Sequence, residues 1–109
     1  MDSEMTQEER LIKLNEFLKV NPTDTFSLFA MAMELRSLNR QNEALKYLDR
    51  VLAADPNYVP GYFQKAEILI ELARPQEARR VLLDGIPKAV EAGQFHIRDR
   101  MQENINKLK

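Results

Sequence analysis

The sequence contains no cysteine. That excludes disulfides, thiolate zinc sites and cysteine nucleophiles, and it leaves the redox compartment open. Histidine occurs once, as His96, so neither a metal cluster nor a catalytic histidine pair is expected, and no cofactor with them. Only three glycines are present and no Ser/Gly/Pro run, which removes flexible linkers, low-complexity segments and a glycine-rich phosphate loop. No apolar run approaches the ~20 residues that cross a bilayer. Met1 to Arg10 is charged and lacks an apolar core, so it does not read as a signal peptide. The charge is nearly balanced, at −1 with a pI near 5.9, which argues against nucleic acid as the main partner, and with no spanning run no membrane partner is expected. A soluble cytoplasmic protein is the expectation.

What remains is ordinary globular composition, 44% hydrophobic and 30% charged over 109 residues, enough for one domain with a single core. The stretch 25–58 is followed by 59–92 on the same plan. A shift of 34 residues superposes eight identities: Phe29/Phe63, Ala32/Ala66, Leu35/Leu69, Leu38/Leu72, Arg40/Arg74, Glu43/Glu77, Ala44/Ala78 and Leu48/Leu82. Most are apolar or small residues at helical spacing, as an internal repeat preserves. Pro22 and Pro56 are also 34 apart.

Periodicity and punctuation predict six helices. Thr6 and Glu9 form a capping box before a helix over 6–20, whose stripe is Leu11, Leu14, Phe17 and Leu18. Residues 1 to 5 are expected to fray, and Pro22 ends the helix. Thr23 or Asp24 caps a second helix over 24–38, with Leu28, Met31, Ala32, Leu35 and Leu38 on one face and Asn39 as a left-handed stop. A third, over 41–54, carries Ala44, Leu45, Leu48, Val51 and Leu52. Asn57 is the candidate cap of a fourth over 58–72, with Pro60 tolerated in its first turn and Tyr62, Ala66, Leu69, Ile70 and Leu72 inside. Pro75 opens a fifth over 75–92, with Ala78, Val81, Leu82, Ile86 and Val90 inside; Gly85 and Pro87 predict a kink. Gly93 stops it. The sixth, over 94–108, has the stripe Ile97, Met101, Ile105 and Leu108. Connections of two to four residues make neighbours antiparallel.

Ala32 and Ala66 stand mid-face in the first helix of each repeat, and Ala44 and Ala78 near the start of the second. Small residues at a crossing let two helix axes approach to the short end of the usual ~8–10 Å range. Leu28 and Tyr62, Leu35 and Leu69, and Leu48 and Leu82 then fill the space around each crossing. At these residues the sequence resembles the tetratricopeptide repeat family, whose large, Gly/Ala and Tyr/Leu positions, second-helix Ala, following aromatic or Leu, and closing proline are matched in order, the last by Pro56. The match covers 25–92, and 10–22 looks like the second half of a preceding repeat. Arg10, Lys65 and Val90 depart from the pattern, the last so that the fifth helix should run long. The resemblance implies an all-α solenoid of antiparallel helix-turn-helix repeats. It comprises a half-repeat or cap helix over 6–22, repeats over 25–58 and 59–92, and a capping helix over 94–108.

In that family the first helices of successive repeats line a concave groove that holds a peptide or partner helix. The matching positions here are Phe26, Phe29, Met33, Arg36 and Ser37 in one repeat, and Phe63, Glu67, Ile70 and Glu71 in the next. Phe29 and Phe63 hold the same place in both repeats, so an apolar binding wall is one reading. Packing of the same rings against neighbouring helices or the C-terminal helix is the other. Some members use Lys, Arg and Asn in this groove to capture a chaperone's acidic C-terminus. Phe29, Met33, Phe63, Glu67 and Glu71 do not provide that set. Glu8/Glu9 and Glu67/Glu71 read as solvated or capping carboxylates, and the cations Arg98, Arg100, Lys107 and Lys109 as a solubilising bias on the last helix.

The function expected is a non-catalytic scaffold binding a protein or peptide. A structural subunit using the same apolar surface for a weak homodimer is the alternative, with Phe26, Phe29, Met33 and Phe63 buried between copies or against the partner's terminal helix. An enzyme would need a cleft of converging polar groups that the sequence does not supply. On the groove reading, Phe29→Ala with Phe63→Ala leaves stability nearly intact. Overpacking a crossing does not: Ala32→Leu and Ala66→Leu should each cost ~1–3 kcal/mol. Thermal melts that show no loss for either would mean that the helices do not cross there.

Overall fold

Helix ends in this protein are set by caps and left-handed stops that can be assigned individually. The computed structural model describes residues 5–108, and all its regular structure is helical among them. The helices are α1 (Gln7–Val20), α2 (Thr25–Ser37), α3 (Gln41–Ala54), α4 (Val59–Glu71), α5 (Pro75–Glu91) and α6 (Phe95–Lys107). Fraying expected of 1–5 concerns mainly residues that lie outside those described, as does Lys109; Met5 is described, and its carbonyl accepts from Arg10 Nη1 at 3.0 Å. The chain divides into two compact units between Ala54 and Asp55, α1–α3 and α4–α6.

At the start of α1 the capping box forms: Glu9 N–H donates to Thr6 Oγ1 at 3.1 Å and Thr6 N–H to Glu9 Oε1 at 2.8 Å. Asp24 caps α2, accepting from the Ser27 amide at 3.0 Å and the Ser27 hydroxyl at 2.6 Å. These bonds hold the Asp24 carboxyl below its ordinary value, the hydroxyl contributing most. The cap expected of Asn57 is not made. Tyr58 occupies the cap position of α4 without a side-chain bond. Pro60 in that first turn has no amide to offer a cap, so the usual recipient is missing. Asn57 instead donates its amide to Asp55 Oδ1 at 3.1 Å and accepts from Lys88 Nζ at 3.1 Å.

Three helix ends use one device. Asn39, Ala73 and Gly93 have φ of 64°, 58° and 69°. Following each, an amide returns to a carbonyl five residues back: Arg40 to Leu35, Arg74 to Leu69 and Gln94 to Ala89, at 2.8, 2.8 and 2.9 Å. The left-handed residue itself donates to Arg36, Ile70 and Val90 respectively. This double bond satisfies carbonyls that a helix end would leave bare. It also reverses the chain in two residues, which lays α3 back on α2 and α5 back on α4.

The next helix starts with a second repeated feature. Arg40 holds Glu43 with Nε and Nη2 at 2.7 and 3.0 Å, and Arg74 holds Glu77 at 2.8 and 2.7 Å. The hydrogen bond from the arginine is the main cause that lowers each glutamate's pKa. Lys65, at a position where the family pattern is apolar, adds its field on Glu77.

Inside the first unit Leu28, Met31, Ala32, Leu35, Ala44, Leu45, Leu48 and Val51 are buried, with Leu11 and Leu18 from α1. Phe17, expected on that inner stripe, is 47% exposed, because Leu11 and Leu18, seven apart, already define the buried line of α1. In the second unit Val59, Phe63, Ala66, Leu82, Ala89, Met101 and Ile105 form one cluster. Val90 is exposed rather than inside. The buried stripe of α5 runs Ala78, Leu82, Gly85, Ala89, and Val90 lies a residue past it, about 100° around the helix. Ile70 and Leu72, read as inner residues, are half-buried, while the neighbouring Ile68 is fully buried. α5 continues as helix through Pro87 for 17 residues, the longest of the six, as the departure at Val90 predicts. Gly85 has a packing cause: a Cβ there would stand 2.6 Å from Tyr62 Cβ and 2.9 Å from its Cγ.

Three outcomes follow from this geometry. Gly85→Ala should cost ~1–3 kcal/mol in a denaturant melt, since the atoms it meets are at the root of a side chain. Ala73→Gly should stabilise by ~0.5–1 kcal/mol, relieving ~1–2 kcal/mol of left-handed strain against ~0.5–1 kcal/mol of added unfolded-chain freedom. The pH dependence has a defined sign. Asp24, Glu43 and Glu77 bind protons less tightly when folded, so their stabilisation is full above the ordinary values of 3.8 and 4.5 and is lost as pH falls through the lower folded values. Melting temperature should therefore drop on acidification below 4.5, and less steeply in Glu43→Gln/Glu77→Gln.

Candidate protein-interaction surface

Along α2 the buried residues fall on one side, and the candidate contact residues on another. Phe26, Phe29, Met33 and Arg36 recur at three- and four-residue steps, which aligns them along the helix. Phe26 is 76% exposed, Phe29, Met33 and Arg36 are half-buried, and Ser37 is exposed. Burying a phenylalanine fully is worth ~1.5–3 kcal/mol, so Phe26 leaves most of that unrealised in the free chain.

α1 fixes the C-terminal half of this helix. Arg10 Nε donates to Glu34 Oε2 at 3.0 Å, and Gln7 Nε2 donates to Ser37 Oγ at 2.7 Å and Glu34 Oε1 at 3.4 Å. Ser37 is therefore tied to α1 and is not available in the way its place on the wall suggested. Arg10 is one of the residues that depart from the repeat pattern, and its partner gives it a role. An alanine there could not reach Glu34. Next along the pair lies an apolar hollow of about 300 Å3, lined by Leu14 and Ala30 among others.

The second unit differs at the equivalent positions. Phe63 was expected to face a groove and to be only partly buried. It is 7% exposed, packed with Val59, Ala66, Leu82, Met101 and Ile105. The cover comes from α6. Met101 and Ile105 lie one turn apart and close over the ring, and the Arg100 guanidinium stacks on it at 4.7 Å. One turn further, Asn104 donates to Glu67 Oε2 at 3.1 Å. Of the wall residues on α4, Phe63 and Glu67 are thus engaged by α6, Ile70 is half-buried and Glu71 exposed. The reading in which the ring packs against the C-terminal helix holds for Phe63. The signal was in the sequence, since Met101 and Ile105 of the last helix needed an apolar partner.

His96 is exposed at the start of α6, and no group of metal-ligating side chains occurs among the described residues. No helix among them is long and apolar enough to cross a membrane.

Comparison with known proteins gives the family. A tetratricopeptide repeat model matches residues 35–96. No curated protein sequence matches the chain. Among solved structures, a tetratricopeptide repeat domain protein from Salinibacter ruber is 26% identical with a TM-score of 0.74, over 81% of this chain and 89% of that one. The TPR2B domain of yeast Sti1, solved in complex with pHsp70, superposes with a TM-score of 0.85 at 22% identity, over 94% of this chain and 82% of that one.

The burial contrast sets a stability contrast. Phe63→Ala should cost ~3–5 kcal/mol, as for a core aromatic, and Phe26→Ala should stay within ~0.5 kcal/mol of wild type. Equal losses in a chemical melt would contradict these placements.

Proposed function

The chain belongs to the tetratricopeptide repeat family, a fold that generally serves as a non-catalytic scaffold for protein interactions, and from this premise we propose that it binds a peptide or partner helix on the α2 face formed by Phe26, Phe29, Met33 and Arg36. One observation carries the reading. Phe26 stands largely in water beside two half-buried apolar side chains, the arrangement in which a partner's apolar residue gains most. Arg36 at the end of the same line supplies one polar contact for orientation. The Sti1 domain bound to pHsp70 supports a peptide partner for this fold, at an identity that speaks for the fold alone. An acidic chain terminus is not the ligand this face suits, because Phe29 and Met33 stand where a cationic set would be required. Catalysis is not part of the proposal, and neither is a cofactor.

A second reading is self-association through apolar surface. Val20 and Phe26, 80% and 76% exposed, together with Phe17, favour it in the first unit. Gel filtration with light scattering across a concentration series separates the two: a strict monomer at high micromolar concentration leaves only the foreign partner.

The direct test is a pull-down from native extract with the immobilised full chain beside Phe26→Ala/Met33→Ala. Proteins retained by the wild type and lost from the variant, at matched helical content, support the α2 face. Equal recovery by both overturns it.

A further inference from the structure

A different surface in the second unit carries its own chemistry. Between the first turns of α5 and the end of α6 lies an open hollow of about 650 Å3, a size typical of ligand clefts, which run ~300–1,000 Å3. Leu83 and Leu108 give it an apolar floor, Leu83 being 55% exposed. Three cations, Arg79, Arg80 and Lys107, surround that floor, and no acidic side chain lines it. Four other cations of this unit are engaged. Arg74 is held by Glu77, Arg98 by Asp99, Arg100 lies on Phe63, and Lys88 donates to Asn57. Arg79 and Lys107 have no ion pair among the described residues. Arg80 acts on Glu77 only as the smallest of several influences, since the Arg74 fork already occupies that carboxylate.

We propose that this hollow is a second binding surface, for an acidic peptide segment that interleaves carboxylates with aliphatic side chains. The argument is charge complementarity. Three neighbouring positive side chains repel one another unless anions lie between them, and each long alkyl stem can also flank an apolar residue seated on Leu83 and Leu108. The carboxylates answer the guanidinium forks and the ammonium, and the aliphatic groups cover the leucines. A helix dipole, positive at the start of α5, has the same preference of sign. The surface is independent of the α2 face, so either can fail without the other.

The test uses the full chain and a fluorescein-labelled synthetic peptide of repeated Asp-Glu-Leu, read by anisotropy. Binding should weaken as salt is raised, and Arg79→Glu/Arg80→Glu/Lys107→Glu should weaken it at least about tenfold, ~1.4 kcal/mol. The neutral set Arg79→Gln/Arg80→Gln/Lys107→Gln should weaken it less, and it serves as the reporter if charge reversal disturbs folding. Leu83→Ser should lower affinity severalfold, and Phe26→Ala should leave it unchanged. The isosteric Asn-Gln-Leu peptide should not bind. The proposal is overturned by no binding of the acidic peptide, by equal binding of the amide peptide, or by equal affinity of the cation variants. Stronger binding of an oligothymidylate probe than of the peptide would assign the hollow to nucleic acid instead and would equally overturn it.

Discussion

Reversing a helix within two residues demands one residue in the left-handed region, and this chain meets that demand at Asn39, Ala73 and Gly93. Each reversal depends on the same pair of backbone bonds, with the returning amide of Arg40, Arg74 or Gln94 reaching a carbonyl five residues earlier. Once the turn closes, the following helix has little freedom in where it lies. Ala32 and Ala44 in one hairpin, and Ala66 and Ala78 in the other, then have no exposed surface at all. Alanine at those places follows from the turn, since a short connection leaves no room for the helices to stand apart. The ion pairs Arg40–Glu43 and Arg74–Glu77 sit on the same turns, exposed and individually weak. They dress the reversal and do not create it.

The same geometry explains which parts of the fold could be read from the sequence. Helix limits were legible within a residue because proline, the capping box and the left-handed stops are local signals. Asn57 misled because a cap is only as good as the amide it can reach, and Pro60 lacks one. Gly85 misled for the opposite reason. It looks like a weak point when seen along its own helix, and its cause is Tyr62 on another. The 34-residue offset exposes the logic after the fact: Leu28 and Val51, both buried, correspond to Tyr62 and Gly85. A larger residue on one helix goes with a smaller one on its partner, and total volume is what packing conserves. Identity matching alone passes over such a pair, because neither member is identical.

The candidate site was less legible than the fold, and Phe29 and Phe63 show why. The two are identical in the repeat, which presents them as equivalent. Their surroundings are not, because the repeat says nothing of what flanks it. Phe63 meets α6, whose Met101 and Ile105 seal the ring into the core while Arg100 closes over its outer side. Phe29 stays half-buried, and Phe26 beside it largely exposed. Position within a repeat thus fixes the direction in which a side chain points. Whether that direction ends in water or in protein is decided by elements outside the repeat.

The two hairpins therefore present different surfaces despite a shared plan. At the positions of Phe26, Met33 and Arg36 the second repeat has Pro60, Glu67 and Ile70. Pro60 sits in the first turn of α4, and Glu67 accepts a hydrogen bond from Asn104 of α6. A glutamate on the apolar line of α2 would weaken that line as a docking surface. On α4 it gains a polar partner from the helix that covers its face. The difference matches the cover: on α4 the residues that α6 packs against are core or hydrogen-bonded, while the α2 line carries aromatic and thioether side chains of which Phe26 is largely exposed. Selection for stability alone tends to replace an exposed phenylalanine, since its burial is where its free energy lies. Phe26 remaining in water is therefore the feature on which the proposed contact at this face rests.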